Sequence, residues 1–226
     1  MINLLYLIFI YPIVFIIDIS FMFLFRITNN YGISILGVSV LISTLTLPLY
    51  FIAEKFQRKE REIQKIMKPE IDVIRSVFSG DERFLRLSAY YRQNKYHPIF
   101  ALRSSISIMI QIPFFIAAFH YLSNLEIING ISFGPIPDLA LPDSLIYIGS
   151  FNINILPLLM TIISCISAFV YTKSLPKKES IQLYGMALLF LILLYNSPSA
   201  LVLYWTGNNL FSLIKNLIQK SLQKSG

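Results

Sequence analysis

Five apolar stretches of membrane-spanning length limit what this chain can fold into. They cover residues 31–53, 106–122, 153–171, 181–195 and 200–214. Lipid offers the backbone no hydrogen-bond partners, and the stretches lack the strict alternation of a membrane barrel, so each is predicted to be a helix. Charged residues make up only 14% of the chain, against about 25% in a soluble domain. The sequence therefore predicts an all-α integral membrane protein.

Basic residues lie in blocks that orient the predicted spans. Residues 55–103 hold twelve of the nineteen, residues 173–178 and 215–224 hold three each, and only Arg26 lies elsewhere. The loop 123–151 has no Lys or Arg. Because short loops rich in Lys and Arg stay in the cytoplasm, five spans place the three blocks and the C-terminus inside and this loop outside.

The chain is predicted to have an N-terminal segment, residues 1–30, and five core spans. The core spans are 31–53, 98–122, 152–172, 181–195 and 200–217; a cytoplasmic helical hairpin covers 54–97, an external loop 123–151, a basic loop 173–180 and a basic tail 218–226. The apolar runs of the last two spans are only about 22 Å long as helices. They predict either a locally thinned bilayer or helix ends that reach beyond the apolar runs.

The N-terminal segment has two interpretations. It is apolar enough to span, but Pro12 interrupts it, and Asp18 near mid-bilayer would cost about 3 kcal/mol. At about 100° per residue, Tyr11, Asp18 and Arg26 share one sector of a helix. We therefore expect an amphipathic helix on the outer membrane surface. A sixth span is the alternative, and it would leave the orientation of the other five unchanged.

The hairpin at residues 54–97 is the long polar part of the chain. Apolar residues recur at helical spacing on both sides of a turn at residues 79–81: Ile63, Met67, Ile71, Ile74 and Phe78 before it, and Phe84, Leu87 and Tyr91 after it. One interpretation is a basic hairpin resting on anionic headgroups, where each Lys or Arg is worth about 1 kcal/mol. The other is a docking surface for a nascent chain, a ribosome or a targeting factor. No motif for specific nucleic-acid recognition is present.

The sequence offers little for catalysis. Cys165 cannot form an internal disulfide, and His97 and His120 stand apart without ligands at metal-binding spacing. No Gly-rich phosphate loop or dinucleotide fingerprint occurs, and the spans hold no acid–base or nucleophile–base pair at useful spacing. We therefore predict no cofactor, no metal site and no catalytic residue, and thus a protein that is not an enzyme.

Four local strings stand out along the chain: LPL at 47–49, KPE at 68–70, IQIPFF at 110–115 and PSALVLYW at 198–205, followed by Asn208 or Asn209. Together they resemble the YidC/Oxa/Alb membrane insertase family. Their order and spacing are similar to the family's five-helix core, over nearly the whole chain. The resemblance implies a bacterial inner-membrane insertase or chaperone with a polar groove open to the cytoplasm and lipid. Nascent membrane proteins and the bilayer would be its partners, with a ribosome, targeting factor or translocon as further candidates.

One position departs from the family. Members usually carry a basic residue, mostly Arg, about five residues before the Pro that matches Pro48. Here that position is Ser43. Arg103, at the start of the second core span, is the nearest candidate to replace the missing charge.

Polar residues repeat at helical spacing in three predicted spans. They are Ser39, Ser43 and Thr46 in the first span, Arg103, Ser107 and Gln111 in the second, and Asn208 and Ser212 in the fifth. Residues four apart share a helix face, so these stripes are the candidate lining of a substrate groove. The hydroxyls could instead bond to their own backbone or make interhelical hydrogen bonds of about 0.6 kcal/mol. Arg103 could instead snorkel to cytoplasmic headgroups.

Two rival functions stay open at this point. A specialised insertase-like protein serving one membrane system, such as envelope polysaccharide export, fits the loss of the usual basic residue at Ser43. A small transporter or channel is the second rival. It would be favoured by inverted repeats or ion-binding carboxylates in the spans, and the sequence shows neither.

Overall fold

The computed structural model describes residues 6–148, 151–172 and 177–225. The helices are α1 (Tyr11–Thr28, after a π-helical turn Tyr6–Ile10), α2 (Tyr31–Val77), α3 (Gly80–Gln93), α4 (Ile106–Ser123), α5 (Ile155–Thr172), α6 (Lys177–Leu194) and α7 (Ser199–Ser225). Two 3₁₀ segments cover Pro98–Ser105 and Glu126–Ile128, and strands β1 (Ile146–Ile148) and β2 (Phe151–Ile153) pair antiparallel. The predicted all-α membrane fold class is confirmed.

Apolar helices of membrane-spanning length dominate the described residues. Tyr6–Thr28, Tyr31–Val77 and Ile106–Ser123 are each long and apolar enough to cross a bilayer, and Ile155–Tyr171 and Ser180–Leu194 are shorter apolar helices. Many large apolar side chains on these helices are exposed, as expected where lipid is the solvent. The count of five spans stays a prediction.

The described residues form two compact units. The bundle unit comprises the described residues within 6–45 and 114–225, and the hairpin unit comprises Thr46–Pro113. The apolar core belongs to the bundle unit, where Phe21, Ile35, Leu139 and Leu201 are among its fully buried members.

The turn between α1 and α2 is fixed by two asparagines. Asn29 ends α1 in the left-handed conformation with φ 49°, and its N–H donates to the carbonyl of Phe25 at 2.8 Å. The side-chain oxygen of Asn30 accepts from the N–H of Ile33 at 3.0 Å and so caps the first turn of α2. Asparagine tolerates both roles because its short amide bonds to nearby backbone groups.

Helix α1 touches the end of α4 at two places. The Tyr6 and His120 rings are 5.7 Å apart, and the Tyr121 hydroxyl donates to the Asp18 carboxylate at 2.8 Å. Tyr6 and Asp18 are about 17 Å apart along a helix, whereas their partners are neighbours in sequence. This spacing favours a helix lying across the end of α4 over one running beside it. The surface placement of α1 stays a prediction, since Tyr6–Thr28 is also long enough to span.

One end of the bundle unit, which we call the loop end, is closed by capping hydrogen bonds. The Asp143 carboxylate accepts from the N–H groups of Ile155 and Leu156, at 2.7 and 3.1 Å, and caps α5. The side chain of Asn154 donates to the carbonyl of Tyr195 at 2.7 Å. The loop and the two helix ends are therefore tied together by satisfied buried polar groups.

Helix α7 is packed on all sides at the loop end. Nine consecutive residues, 199–207, are buried. The Trp205 ring lies 4.5 Å from that of Phe190 and 5.1 Å from that of Phe115. Such aromatic contacts add to the area that the rings bury. From Asn208 onward most of the described positions of α7 are partly or fully exposed, so packing loosens toward the far end.

The hairpin unit is organised by one stripe of α2. Positions four and three apart form it: Ala53, Gln57, Glu60, Gln64, Met67, Ile71 and Ile74. This is the spacing of a coiled-coil seam. Its distal half is apolar, as predicted from Met67, Ile71 and Ile74, whereas its proximal half is polar. The predicted turn is present, with Gly80 at φ +56°, where a residue without Cβ is favoured.

Several predicted boundaries are corrected. The first span and the first arm of the hairpin are one continuous helix, Tyr31–Val77. Residues Pro98–Ser105 form a 3₁₀ segment, so the helix of the second span begins only at Ile106. Helices α6 and α7 extend beyond their apolar runs. This agrees with the second of the two predicted alternatives, in which the helix ends reach beyond the apolar runs and the bilayer need not be thinner. Residues 173–176 of the predicted basic loop lie outside the described residues.

Candidate functional site

Polar side chains follow α7 in the bundle unit, and two of them hydrogen-bond to polar residues of α2 and α5. We call these residues the bundle polar set: Ser39, Ser43, Ser167, Asn208, Asn209, Ser212 and Asn216. The Ser43 hydroxyl donates to the side-chain oxygen of Asn208 at 2.9 Å, which joins α2 to α7. The predicted polar stripes of the first and last spans therefore meet at this point.

The Ser39 hydroxyl bonds to the backbone of its own helix, as hydroxyls in apolar helices often do. Ser39 is fully buried, and its hydroxyl donates to the Leu36 carbonyl at 2.7 Å. Gly207 lies so close that an added Cβ would overlap the Ser39 hydroxyl. Ser39 thus marks a close approach of α2 and α7, and its hydroxyl is already bonded. Ser212 is half-buried.

Two asparagine side chains of the set keep an unpaired atom. The Asn216 side-chain nitrogen donates to the Ser167 hydroxyl at 3.1 Å. Its side-chain oxygen, and the side-chain nitrogen of Asn209, are buried without a hydrogen-bond partner among the described residues. Buried amide groups without partners are costly in apolar surroundings. Their hydrogen-bonding capacity is therefore not used by the described residues.

Asn216 and Ser167 are absent from the predicted site. Asn216 follows Asn208 and Ser212 at four-residue spacing, so continuing the stripe by one turn would have found it. Ser167 gives no such signal, because it lies alone on an apolar helix whose partner is 49 positions away.

The remaining predicted site residues belong to the hairpin unit. Thr46 is buried. The Ser107 hydroxyl accepts from the Gln57 side chain at 3.0 Å, and Gln111 is half-buried. The Arg103 guanidinium lies 4.0 Å above the centre of the Phe100 ring. No acidic side chain in the described part of the chain pairs with Arg103.

The expected common face of Arg103, Ser107 and Gln111 is corrected. Arg103 lies in the 3₁₀ segment, whose turns take about three residues where those of an α-helix take 3.6. The Arg103 position is therefore rotated by about a quarter turn around the helix axis from Ser107. Ser107 and Gln111 still share one face of α4.

A buried carboxylate in the hairpin unit was not predicted. Glu60 is 1% exposed, and one of its oxygens accepts from the Tyr96 hydroxyl at 2.5 Å and from the Gln64 side chain at 2.9 Å. Its other oxygen is buried without a partner in the described residues. Burial, together with the hydrogen bond to Glu60 and its negative charge, raises the pKa of Tyr96 to about 12. Glu60 lies seven residues before the buried Met67, on the same stripe of α2, and this spacing could have indicated that Glu60 is buried.

The fold and the polar set define a class: helical membrane proteins with hydrogen-bonding groups inside an apolar bundle that is closed at one end. The family model described as 60Kd inner membrane protein matches residues 23–225. The chain belongs to this family, which is the YidC family, and the predicted resemblance is confirmed. It is a multi-pass inner membrane protein.

Three similar curated proteins share a name. Proteins named membrane protein insertase YidC match from Endomicrobium trichonymphae (29% identical over 85% of this chain), Treponema denticola (26%, 88%) and Rickettsia prowazekii (30%, 85%). The chain covers 36% of the length of each of these relatives.

A solved structure is similar in fold. It is described as an active YidC insertase crystal structure with the first transmembrane domain resolved, and it matches with a TM-score of 0.52 at 24% identity. The match covers 95% of this chain and 46% of the other. At this identity the likeness concerns the fold alone.

Proposed function

We propose that this protein is a membrane protein insertase and chaperone. It passes short hydrophilic segments of client proteins through a polar groove and releases the client helices into lipid. The observation that carries the proposal is the pair of unpaired buried amide atoms, on Asn209 and Asn216, in a bundle whose loop end is closed. The relatives named insertase support it.

The bundle polar set lowers the cost of moving a polar segment into the membrane. A bilayer core is about 30 Å thick, and each charged residue in it costs several kcal/mol. Amides and hydroxyls inside the bundle replace part of the hydrogen bonding that the segment loses on leaving water. The closed loop end limits leakage, and partition of the client's apolar helix into lipid drives the step. No covalent chemistry, cofactor or nucleotide hydrolysis is required, so the protein acts without enzymatic activity.

The groove is lined, in this proposal, by Ser39, Ser43, Asn208 and Ser212, together with Asn209 and Asn216. Thr46, Ser107 and Gln111 remain groove residues by prediction from the sequence. Arg103 attracts acidic residues of the client, because its cation has no acidic partner in the described residues. In this proposal the hairpin at residues 54–97 and the C-terminus lie in the cytoplasm, where a ribosome, targeting factor or translocon could dock on the basic hairpin.

The test is insertion into proteoliposomes of a single-span client with a short hydrophilic tail, scored by protease protection of the tail. Asn209→Leu with Asn216→Leu removes both amides at similar volume. Losing two hydrogen-bonding groups lowers insertion by about tenfold, while thermal stability in detergent stays equal or rises. Leu210→Ala, at an exposed position between the two, is the matched control and retains insertion. Equal insertion by the double variant and wild type would contradict the proposal.

A specialised insertase is the second candidate, favoured by Ser43. This residue stands where the family usually has a basic one, and its hydroxyl is already bonded to Asn208. Growth of an insertase-depleted cell on the wild-type protein would support general insertase activity. Failure at normal expression, with growth restored by Ser43→Arg, would favour a specialised client range.

A further inference from the structure

Glu60 is a buried carboxylate that stability does not explain. Its nearest neighbours in the seam of α2 are Gln57 and Gln64, and the buried apolar residues Ala53 and Met67 lie one heptad away on either side. Replacing a buried charged group by a well-packed apolar one is often neutral or stabilising. One Glu60 oxygen also lacks a partner among the described residues, which adds to the cost of burying it.

Three successive contacts lead from Glu60 to Arg103, all within the hairpin unit. The Tyr96 hydroxyl donates to Glu60 at 2.5 Å. The Tyr96 ring meets the Phe100 ring edge to face, at 5.9 Å between centres and 83° between planes. The Arg103 guanidinium lies on the Phe100 ring at 4.0 Å. Each contact links one side chain of this series to the next.

The segment that carries Arg103 begins at a side-chain cap, where Nδ1 of His97 accepts from the N–H of Ile99 at 3.3 Å. Residues Pro98–Ser105 form a 3₁₀ helix, which has weaker hydrogen-bond geometry than an α-helix and is uncommon at this length. Pro98 donates no backbone hydrogen bond. The contacts of Tyr96 and Phe100 add side-chain packing to this segment and support the Arg103 guanidinium.

Phe100 holds the cation without neutralising it. An aromatic ring attracts a guanidinium through its quadrupole, whereas a carboxylate partner would cancel its charge. In the described residues Arg103 has the ring and no acid. Its positive charge is thus oriented and still available to an acidic residue of a client.

We propose that Glu60 and Tyr96 are positioning residues that orient Arg103 for acidic segments of client proteins. This inference rests on the proposed insertase function and names a substrate preference within it. Glu60 acts through Tyr96 and Phe100, and neither Glu60 nor Tyr96 contacts the client.

The experiment compares two clients that differ only in the translocated tail, one acidic and one neutral, in proteoliposomes of fixed lipid composition. Tyr96→Phe keeps the ring and removes the hydroxyl, and Glu60→Met removes the acceptor at similar length. Both variants lower insertion of the acidic client about threefold relative to the neutral one, the size expected from losing one cation–π orientation. Glu60→Gln keeps an acceptor oxygen for Tyr96 and retains the wild-type ratio.

A double-variant comparison separates positioning from general structural damage. Arg103→Ala lowers the acidic-to-neutral ratio by at least as much as Tyr96→Phe, and combining the two lowers it no further. Glu62→Gln, at an exposed position on the same helix, leaves the ratio unchanged. Thermal unfolding in detergent shows Glu60→Met to be as stable as the wild type or more so.

Three results would overturn the inference, and they differ from failure of the proposed function. If Tyr96→Phe lowered insertion of the acidic and the neutral client equally, the role of Tyr96 would be only structural. Additive losses with Arg103→Ala would show that Tyr96 acts elsewhere. An unchanged ratio in Arg103→Ala would remove the preference for acidic tails. Only failure of the wild type to insert either client would count against insertase function itself.

Discussion

At the loop end of the bundle unit, Asp143, Asn154 and Ser199 are buried and each bonds to backbone groups. Farther along the same unit, Asn209 and Asn216 are equally polar but keep a buried unpaired atom. Both regions consist of polar groups in apolar surroundings. The satisfied polar groups at the loop end secure the fold, whereas the unpaired atoms of Asn209 and Asn216 are the ones that we propose to bond with a client.

Removing the cap of α5 gives the largest expected loss of stability. Asp143→Ala leaves the N–H groups of Ile155 and Leu156 without their buried carboxylate partner, which lowers the free energy of unfolding by about 2–3 kcal/mol. Thermal unfolding in detergent measures the change. Glu126→Ala, at an exposed position of the same loop, is the control. If both variants unfold alike, the loop end does not depend on this cap.

A smaller change is expected in the bundle polar set. Ser43→Ala removes the hydroxyl bonded to Asn208 and lowers stability by about 0.6 kcal/mol, the mean for interhelical hydrogen bonds in membranes. Insertion stays within about twofold of wild type, because the Asn208 amide remains. Thr44→Ala, whose hydroxyl bonds only to its own helix, is the matched variant. A loss as large as that of Asp143→Ala would erase the contrast between the two regions.

The smallest effect concerns the pH dependence of the hairpin unit. The pKa of Tyr96 lies at about 12 in the fold, above its ordinary 10.0, so the fold favours the protonated phenol. The resulting stability is present below pH 10 and is lost as the pH rises toward 12. Glu60→Gln removes the carboxylate charge and moves the Tyr96 pKa down. Tyrosinate absorbance, taken as the difference from Tyr96→Phe, follows the titration, and an unmoved midpoint would contradict this assignment.

Part of the site could be predicted because it follows helical periodicity. Ser39 and Ser43 on α2, and Asn208 and Ser212 on α7, keep their predicted helical spacing because both helices are regular through these positions. Their place in a groove stays a prediction. The predicted common face of Arg103, Ser107 and Gln111 is wrong, because the chain before Ile106 winds as a 3₁₀ helix. Periodicity predicts which residues share a face only where the helix type is known.

The fold class and the family could be predicted from the sequence because both follow from local runs of residues. Long apolar runs exclude water-solvated alternatives, and short strings such as PSALVLYW identify the family wherever the helices pack. Blocks of Lys and Arg set the predicted orientation through the same kind of local signal.

The pairings that give the protein its chemistry are long-range. Ser43 meets Asn208 from 165 positions away, and Glu60 meets Tyr96 from 36 positions away. A hydroxyl or carboxylate in the sequence does not reveal whether a partner will be within reach once the helices pack. The sequence by itself thus determined the helices, their lipid solvent and the family, because these depend on neighbouring residues. Only the tertiary structure decided which buried polar atoms are satisfied and which remain open, because that depends on how distant segments meet.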